Sequence, residues 1–319
     1  MSLLKKPEVE KRALKVLGFG DSGTGKTTFA LSFPKNVITD SEDGYAFYKN
    51  NPNIALMATT NSIYDLEEIL DEVEELIEQN EISTFTTDSI SKFYANLQYV
   101  YQDLVEKRAR RKGQDVDDAG LSQREWAKIK TTLKRVNDTK LMMASKGINI
   151  VDIAQQKDVK EKRGDSFVTV GVEPDYVKNS NYDYDIIIRM YTEEDKKTGE
   201  THYYGKILKD RTQKYKKNEV IENPSFKNWE DVYNGYAKAK ESVVNFKADY
   251  VKDSAKTESD EASATELADE IKAYLKDATA EQKVQVGKVI KSLNINIKDF
   301  ASNPIENLKE VVDFINTLN

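Results

Sequence analysis

The chain has 319 residues, 39% of them hydrophobic, with a formal net charge of −7. The length suits one large domain and a small one, since domains run about 100–200 residues. The lack of cysteine excludes disulfides, thiolate nucleophiles and Cys-based metal centres, and a lone His202 excludes a histidine triad or a His-rich metal site.

Residues 13–19 (ALKVLGF) predict an apolar strand running into Gly20-Asp21-Ser22-Gly23-Thr24-Gly25-Lys26-Thr27. This octapeptide fits G-x-x-x-x-G-K-[ST], the phosphate-binding loop of P-loop NTPases. Its glycines let the backbone wrap a phosphate, and Thr28-Phe29-Ala30-Leu31 begins a helix whose free N–H groups face the anion. The motif assigns residues Gly20 to Thr28 to nucleotide binding. Lys26 would reach the β- and γ-phosphates and the Thr27 hydroxyl would ligate Mg²⁺. ATP and Mg²⁺ are the expected cofactors.

The next strand, 36–39 (NVIT), leads into Asp40-Ser41-Glu42. Carboxylates there would stand at the carboxyl edge of a parallel sheet, beside a nucleotide crevice. Glu42 is the expected base, with Asp40 as the alternative. Strand 54–59 precedes a helix over 63–79 that places Ile63, Leu66, Ile69, Leu70, Val73 and Leu76 on one face. Strand 84–87 ends in Asp88-Ser89, where Asp88 would hold the metal directly or through water.

Helices follow over 89–107 and 121–145. Lys107, Arg108, Arg110, Arg111 and Lys112 put five cations into six positions after the first. Such clusters neutralise phosphates and give salt-dependent, sequence-independent nucleic-acid binding. Strand 148–154 leads to Gln155-Gln156, either of which could hydrogen-bond a γ-phosphate or an attacking water. Lys157, Lys160, Lys162 and Arg163 form a second basic stretch. Tyr94, Tyr99 and Tyr101 or Phe167 are candidates to stack on bases, although helical spacing favours a core role for the tyrosines.

Strands 184–191 and 202–209, joined through 193–199, read as a hairpin, with His202 on its surface. Strands alternating with helices predict an α/β fold, mostly parallel, with an antiparallel extension. Residues 253–264 (DSAKTESDEASA) read as a polar linker. Three short helices over 265–278, 280–293 and 304–318 follow, with Pro304 at a first helical position. The expected division is an ATPase domain over 1–252, a linker over 253–264 and a small helical domain over 265–319. From Asp253 onward thirteen acidic residues face eight basic ones, so the cations sit mainly in the body. No apolar run reaches membrane-helix length and no secretory signal is expected, so the reading is of a cytoplasmic protein without a membrane partner.

The ordered set of P-loop, strand with D-x-E, strand with Asp-Ser and strand with a terminal glutamine resembles the RecA-like ATPases. Over roughly residues 12–235 the chain is similar to phage RecA-like nucleotide-binding proteins of the single-strand annealing (Sak-type) group. The shared features are GKTT-F-A-x-x-F-P-K leading to D-x-E, and Ser122-Gln123-Arg124-Glu125-Trp126 before a helix. The resemblance implies an ATPase that binds and anneals single-stranded DNA in phage recombination, as a homo-oligomeric ring or filament in the bacterial host cytoplasm. It implies that Glu42 is the catalytic glutamate and Gln155 the nucleotide-sensing glutamine. It implies that Lys209 and Arg211 reach a neighbour's ATP site, Arg211 standing where RecA has lysine. The segments 107–112 and 157–163 would be its DNA loops. The alternative is an ATP-dependent switch or loader that acts on a replication or single-strand binding protein through the C-terminal helices. A third reading is a P-loop kinase of a small substrate.

Overall fold

The computed structural model describes residues 6–164, 166–237, 239–240 and 246–318. The chain divides into two compact units, Met1–Val244 and Asn245–Asn319. In the larger unit the strands are β1 (Lys15–Gly20), β2 (Asn36–Asp40), β3 (Ile54–Thr59), β4 (Thr84–Asp88), β5 (Asn149–Arg163), β6 (Ser166–Pro174), β7 (Ile186–Glu194), β8 (Thr201–Asp210) and β9 (Val220–Glu222). The helices are α1 (Lys26–Leu31), α2 (Ile63–Glu78), α3 (Ile90–Arg111), α4 (Gln123–Ser145) and α5 (Glu230–Ala237).

The strand order is β3-β2-β4-β5-β1-β7-β8-β9, with β6 off this path against β5. All neighbours from β3 through β7 pair in parallel, and β7–β8 and β8–β9 pair antiparallel. The expected α/β architecture with an antiparallel extension is therefore present. The parallel register also decides where the motifs meet. Gly20 is the Cα partner of Gln155, and Asp40 that of Asp88. Four separated motifs thus end on one sheet edge.

Alternation along β1 shows how the sheet is covered on both faces. Leu17 and Phe19 join Leu66, Phe85, Phe93, Ile129 and Leu133 in one buried core, which holds the apolar faces of α2, α3 and α4. Leu14 and Val16 join Phe29, Ile153, Ile188 and Trp229 in the other. Period-two side-chain alternation produces this division, and a strand buried on both faces reads as a continuous apolar run.

Two expectations change here. The strand expected over 148–154 runs on to Arg163 and pairs with β6 as a long antiparallel arm. The second basic stretch therefore lies on a strand, not in a loop. Valines at 159, 168, 170 and 172 suit a pleated surface, and cross-strand pairs such as Lys162 with Phe167 hold it. The linker expected over 253–264 lies inside α6 (Phe246–Asp277). That stretch contains neither glycine nor proline, and its three alanines, two glutamates and one lysine favour a helix. A lack of apolar periodicity removed the sign of a packed face without removing the helix.

The smaller unit packs the end of α6 with α7 (Ala280–Ser292) and α8 (Ile305–Asn316) around Ala268, Ile271, Val286, Leu308 and Val311. Thr279 and Gln282 form a capping box that starts α7. Pro304 occupies the N-cap of α8, one residue before the expected position.

Candidate functional site

The P-loop lies between β1 and α1, and its glycines meet specific demands. A Cβ on Gly20 would stand 2.2 Å from the Met190 carbonyl oxygen, so only glycine fits there. Gly25 has φ +84, a left-handed conformation that costs glycine little. Thr24 Oγ1 donates to the Asp21 carbonyl at 2.8 Å and Lys26 Nζ to the same oxygen at 2.5 Å, so the loop closes on itself. Burial lowers the Lys26 ammonium pKa, while Asp88, Glu42 and Asp21 oppose that shift.

Opposite the loop, β4 delivers Asp88. Its Oδ2 accepts from Thr27 Oγ1 at 3.2 Å and from Tyr45 Oη at 3.0 Å. Burial pushes the Asp88 carboxyl up to about 6, against the hydrogen bonds from Tyr45 and Thr27. The same burial, with Asp88 beside it, drives the Tyr45 phenol well above its usual range. A buried carboxylate whose charge is unfavourable and which faces a hydroxyl fits a divalent cation. Mg²⁺ in phosphate sites uses one or two carboxylates plus substrate oxygens, so Thr27 and Asp88 would hold it.

The Asp40–Tyr45 turn carries Glu42. Asp40 Oδ1 accepts from the backbone N–H groups of Glu42 and Gly44 at 3.0 and 3.2 Å, and Oδ2 from that of Tyr45 at 3.0 Å. Asp40 is 1% exposed, so its carboxylate builds the turn and is closed to substrate. Glu42 is exposed in the cleft. Its Oε1 accepts from Gln155 Nε2 at 2.8 Å and from Ser89 Oγ at 2.9 Å. The structure separates the two glutamines: Gln156 Nε2 instead donates to Asp21 at 3.0 Å and is itself held by Arg189 Nε at 3.1 Å.

The P-loop, Glu42, Asp88, Ser89, Gln155 and Gln156 line a cleft of 880 Å³. Its phosphate wall is Gly20 to Thr28 with Glu42, Asp88 and Gln155. Met190, Tyr203, Asn223, Pro224 and Ser225 form a second wall. Sequence reasoning missed that wall and Tyr45, and gave Ser89 no role. Tyr45 is a single aromatic in a polar turn, and 223–225 lie far along the chain with no motif to mark them.

Lys209 and Arg211 do not join the cleft. Lys209 is the Cα partner of Ile187, and Ile187 that of Leu17, whereas the cleft begins at Gly20 beside Met190. They stand at the opposite end of the sheet. Lys209 Nζ donates to the Asn181 carbonyl at 2.7 Å, and Arg211 reaches Asp185 at 3.4 Å and the Tyr182 carbonyl at 3.1 Å. Burial and the neighbouring Arg211 lower the Lys209 pKa.

The basic segments are surface features. Lys107 pairs with Asp103 at 2.6 Å, Arg110 with Glu106 at 3.3 Å and Arg108 with Glu125 at 3.0 Å. Arg111 and Lys112 are exposed. Glu125 Oε2 also accepts from the Ser122 backbone N–H at 3.2 Å in the capping box that starts α4, which gives Ser122-Gln123-Arg124-Glu125-Trp126 a structural role. On the arm, Lys157 faces Glu173 and Asp175 at 3.6 and 3.4 Å, Arg163 faces Glu161 at 3.7 Å, and Lys160 and Lys162 lie between them. Tyr94 and Tyr101 pack against the core, while Tyr99 and Phe167 are exposed.

Residues 12–219 match a protein family described as an AAA domain, which is more than half of the chain. Among solved structures, a KaiC-like protein from the hyperthermophilic archaeon Pyrococcus horikoshii OT3 is similar at 14% identity, over 67% of this chain and 90% of that one, with a TM-score of 0.38. No curated protein matches the sequence.

Proposed function

This chain belongs to the AAA domain family and is a P-loop ATPase, and from that premise we propose that it hydrolyses ATP as an oligomer on single-stranded DNA, promoting annealing or recombination. The observation that carries the catalytic part is Glu42 held by Gln155 across the cleft from Lys26, Thr27 and Asp88. Glu42 Oε1 is occupied by two donors, and Oε2 has none among the described residues. Oε2 is therefore the oxygen that takes a proton from water, as a general base must. Gln155, bound to that carboxylate and lining the same cleft, couples the base to the nucleotide's terminal phosphate. Lys26 supplies the loop's positive charge to the phosphates. Bound Mg²⁺ would polarise the phosphoryl group and offset its charge.

DNA binding draws support from the surface. The pairs at Lys107 and Arg110 are exposed, and such pairs contribute only about 0–1 kcal/mol, so phosphates can displace their carboxylates. The arm sets exposed Phe167 directly across from Lys162, a ring and a cation side by side. Stacking surfaces next to cations are how single strands are held without sequence preference. Phosphate release should be measured with and without a thymidine homopolymer or duplex, beside binding of both DNAs by anisotropy at low salt. Turnover stimulated by the single strand is the expected result. ATP turnover without single-strand binding or stimulation would remove DNA from the function and leave the ATPase.

A further inference from the structure

The cleft is lined by more than phosphate-binding residues. Beside the P-loop, Met190, Tyr203, Asn223, Pro224 and Ser225 form a wall with no charged side chain. A neutral wall with one broad ring and one amide suits a planar, uncharged heterocycle. We infer that Tyr203 and Asn223 form a nucleobase subsite selective for adenine, Tyr203 as the stacking surface and the Asn223 amide as the edge reader. This inference rests on the nucleotide reading of the same cleft.

The wall is held in place from two sides. A Cβ on Gly25 would meet Tyr203 Cδ1 at 3.2 Å, so the ring stands directly against the phosphate loop. Gly205 lies two residues further along β8, on the same face as Tyr203. A Cβ on Gly205 would meet the Pro224 ring at 3.0 Å, so that ring packs beside Tyr203. The Asn223 N–H donates to the Tyr203 carbonyl at 2.8 Å, and the Phe226 N–H to Ser32 Oγ at 2.8 Å. The turn is thereby fixed both to β8 and to the residue that follows α1. A prearranged wall loses little freedom when a base docks.

Asn223 has φ +48, a left-handed conformation that asparagine tolerates better than most residues. It is exposed, lines the cleft, and its amide makes no hydrogen bond to the described residues. An amide offers one donor face and one acceptor face. Adenine presents an amino donor beside a ring-nitrogen acceptor, so both bonds form. The subsite requires the amide to face the N6/N7 edge: there guanine presents two acceptors, N7 and O6, and one bond is lost. One such bidentate pair discriminates by about tenfold or more.

The test is calorimetric titration of the full chain with ATP, GTP and inorganic tripolyphosphate. Asn223→Gly keeps the left-handed backbone and removes the amide, and Asn223→Asp keeps the backbone and removes the donor. The unaltered protein should favour ATP over GTP by about tenfold or more. Both variants should lose that ratio with tripolyphosphate binding unchanged. Tyr203→Ala should weaken ATP and GTP alike and spare tripolyphosphate. An unchanged ATP:GTP ratio in the Asn223 variants overturns the subsite while the phosphate site stands. Failure of the unaltered protein to bind any of the three overturns the nucleotide reading itself. Circular dichroism of each variant separates lost recognition from lost folding.

Discussion

Gln155 and Glu42, 113 positions apart in the chain, meet through a 2.8 Å hydrogen bond from the glutamine amide to the carboxylate. Gln155 ends the inner part of β5 and Glu42 follows β2, so the contact spans the intervening β4 at the sheet's carboxyl edge. Ser89, which follows β4, donates to the same carboxylate oxygen at 2.9 Å. Three strands therefore converge on one candidate base.

Glu42→Gln should bind ATP near normally and lose turnover, because an amide cannot take a proton from water. Lys26→Ala should lose tight binding, because the phosphates lose the loop's side-chain cation. Gln155→Ala should keep ATP affinity and slow hydrolysis by less than Glu42→Gln, since it frees the carboxylate without removing it. Calorimetry beside phosphate release separates these outcomes. Equal loss of nucleotide affinity in the Glu42 and Lys26 variants would take Glu42 out of the catalytic role.

Asp88 links the site to stability. Its carboxyl sits at about 6 in the fold against 3.8 for an unburied one, because burial outweighs the bonds from Tyr45 and Thr27, with Glu42 adding to the rise and Lys26 opposing it. Between those values the folded chain binds more protons than the unfolded chain, so this group makes stability fall as pH rises through the window. The cost above pH 6 is of order 3 kcal/mol. Asp88→Asn, without nucleotide and with chelator present, should therefore raise the melting temperature at pH 7.5 and flatten its fall between pH 4.5 and 6.5. A variant melting at the same temperature as the parent at both pH values would show that the buried carboxylate carries no such penalty.

Much of this site can be read from the chain because each piece is local. The P-loop, the D-x-E turn, Asp88-Ser89 and Gln155 each end a short strand, apolar in β1 and the inner part of β5 and threonine-rich in β4, and parallel pairing then brings such ends to one edge. Tyr45 is different. Its hydroxyl matters only because the turn built by Asp40 folds it onto Asp88, and nothing within five residues marks that partner. The second wall of the cleft depends on β8 returning antiparallel and on a turn at 223–225, both set by long-range packing. The resemblance to RecA-like ATPases makes the basic stretch at 157–163 a DNA loop. Its strand is imposed by pairing with β6. Residues 253–264 show the converse: a helical stretch of polar and small residues in which a core contact such as Ala264 sets no apolar period.

Lys209 and Arg211 lie at the far end of the sheet from their own P-loop, so any action on a transferring phosphoryl group must be on a neighbouring subunit. Arg211 must then leave Asp185, which is 5% exposed but keeps Lys15 and Arg12 at 3.6 Å. A cation supplied in trans contributes about 10³–10⁵ in rate in known phosphoryl transfers. Arg211→Ala should bind ATP normally and lose most turnover. Mixed with Glu42→Gln subunits, it should regain part of it, because some interfaces would unite an intact Glu42 with an intact Arg211. Mixed oligomers that recover no activity, with mixing verified by mass, would assign Arg211 to its tether on Asp185 alone.

The basic end of α3 gives the sharpest test of DNA binding, provided Arg108 is left in place. Arg108 holds the buried Glu125, which caps α4, and removing it would leave that carboxylate without its cation. Among the described residues Lys107 and Arg110 pair only with Asp103 and Glu106, at one and the same helix surface, and Arg111 and Lys112 are exposed. Replacing these four by serine should leave the fold and ATP affinity unchanged. It should weaken single-strand binding and shallow its log–log salt dependence by up to about 3, at about 0.7 per phosphate neutralised. Serine at the four arm positions Lys157, Lys160, Lys162 and Arg163 should produce a similar, separate loss. Phe167→Ala should lower affinity without changing the salt slope, because stacking releases no counterions. An unchanged slope in both cation variants would make these segments solvated surface and leave the ATPase without DNA as its partner.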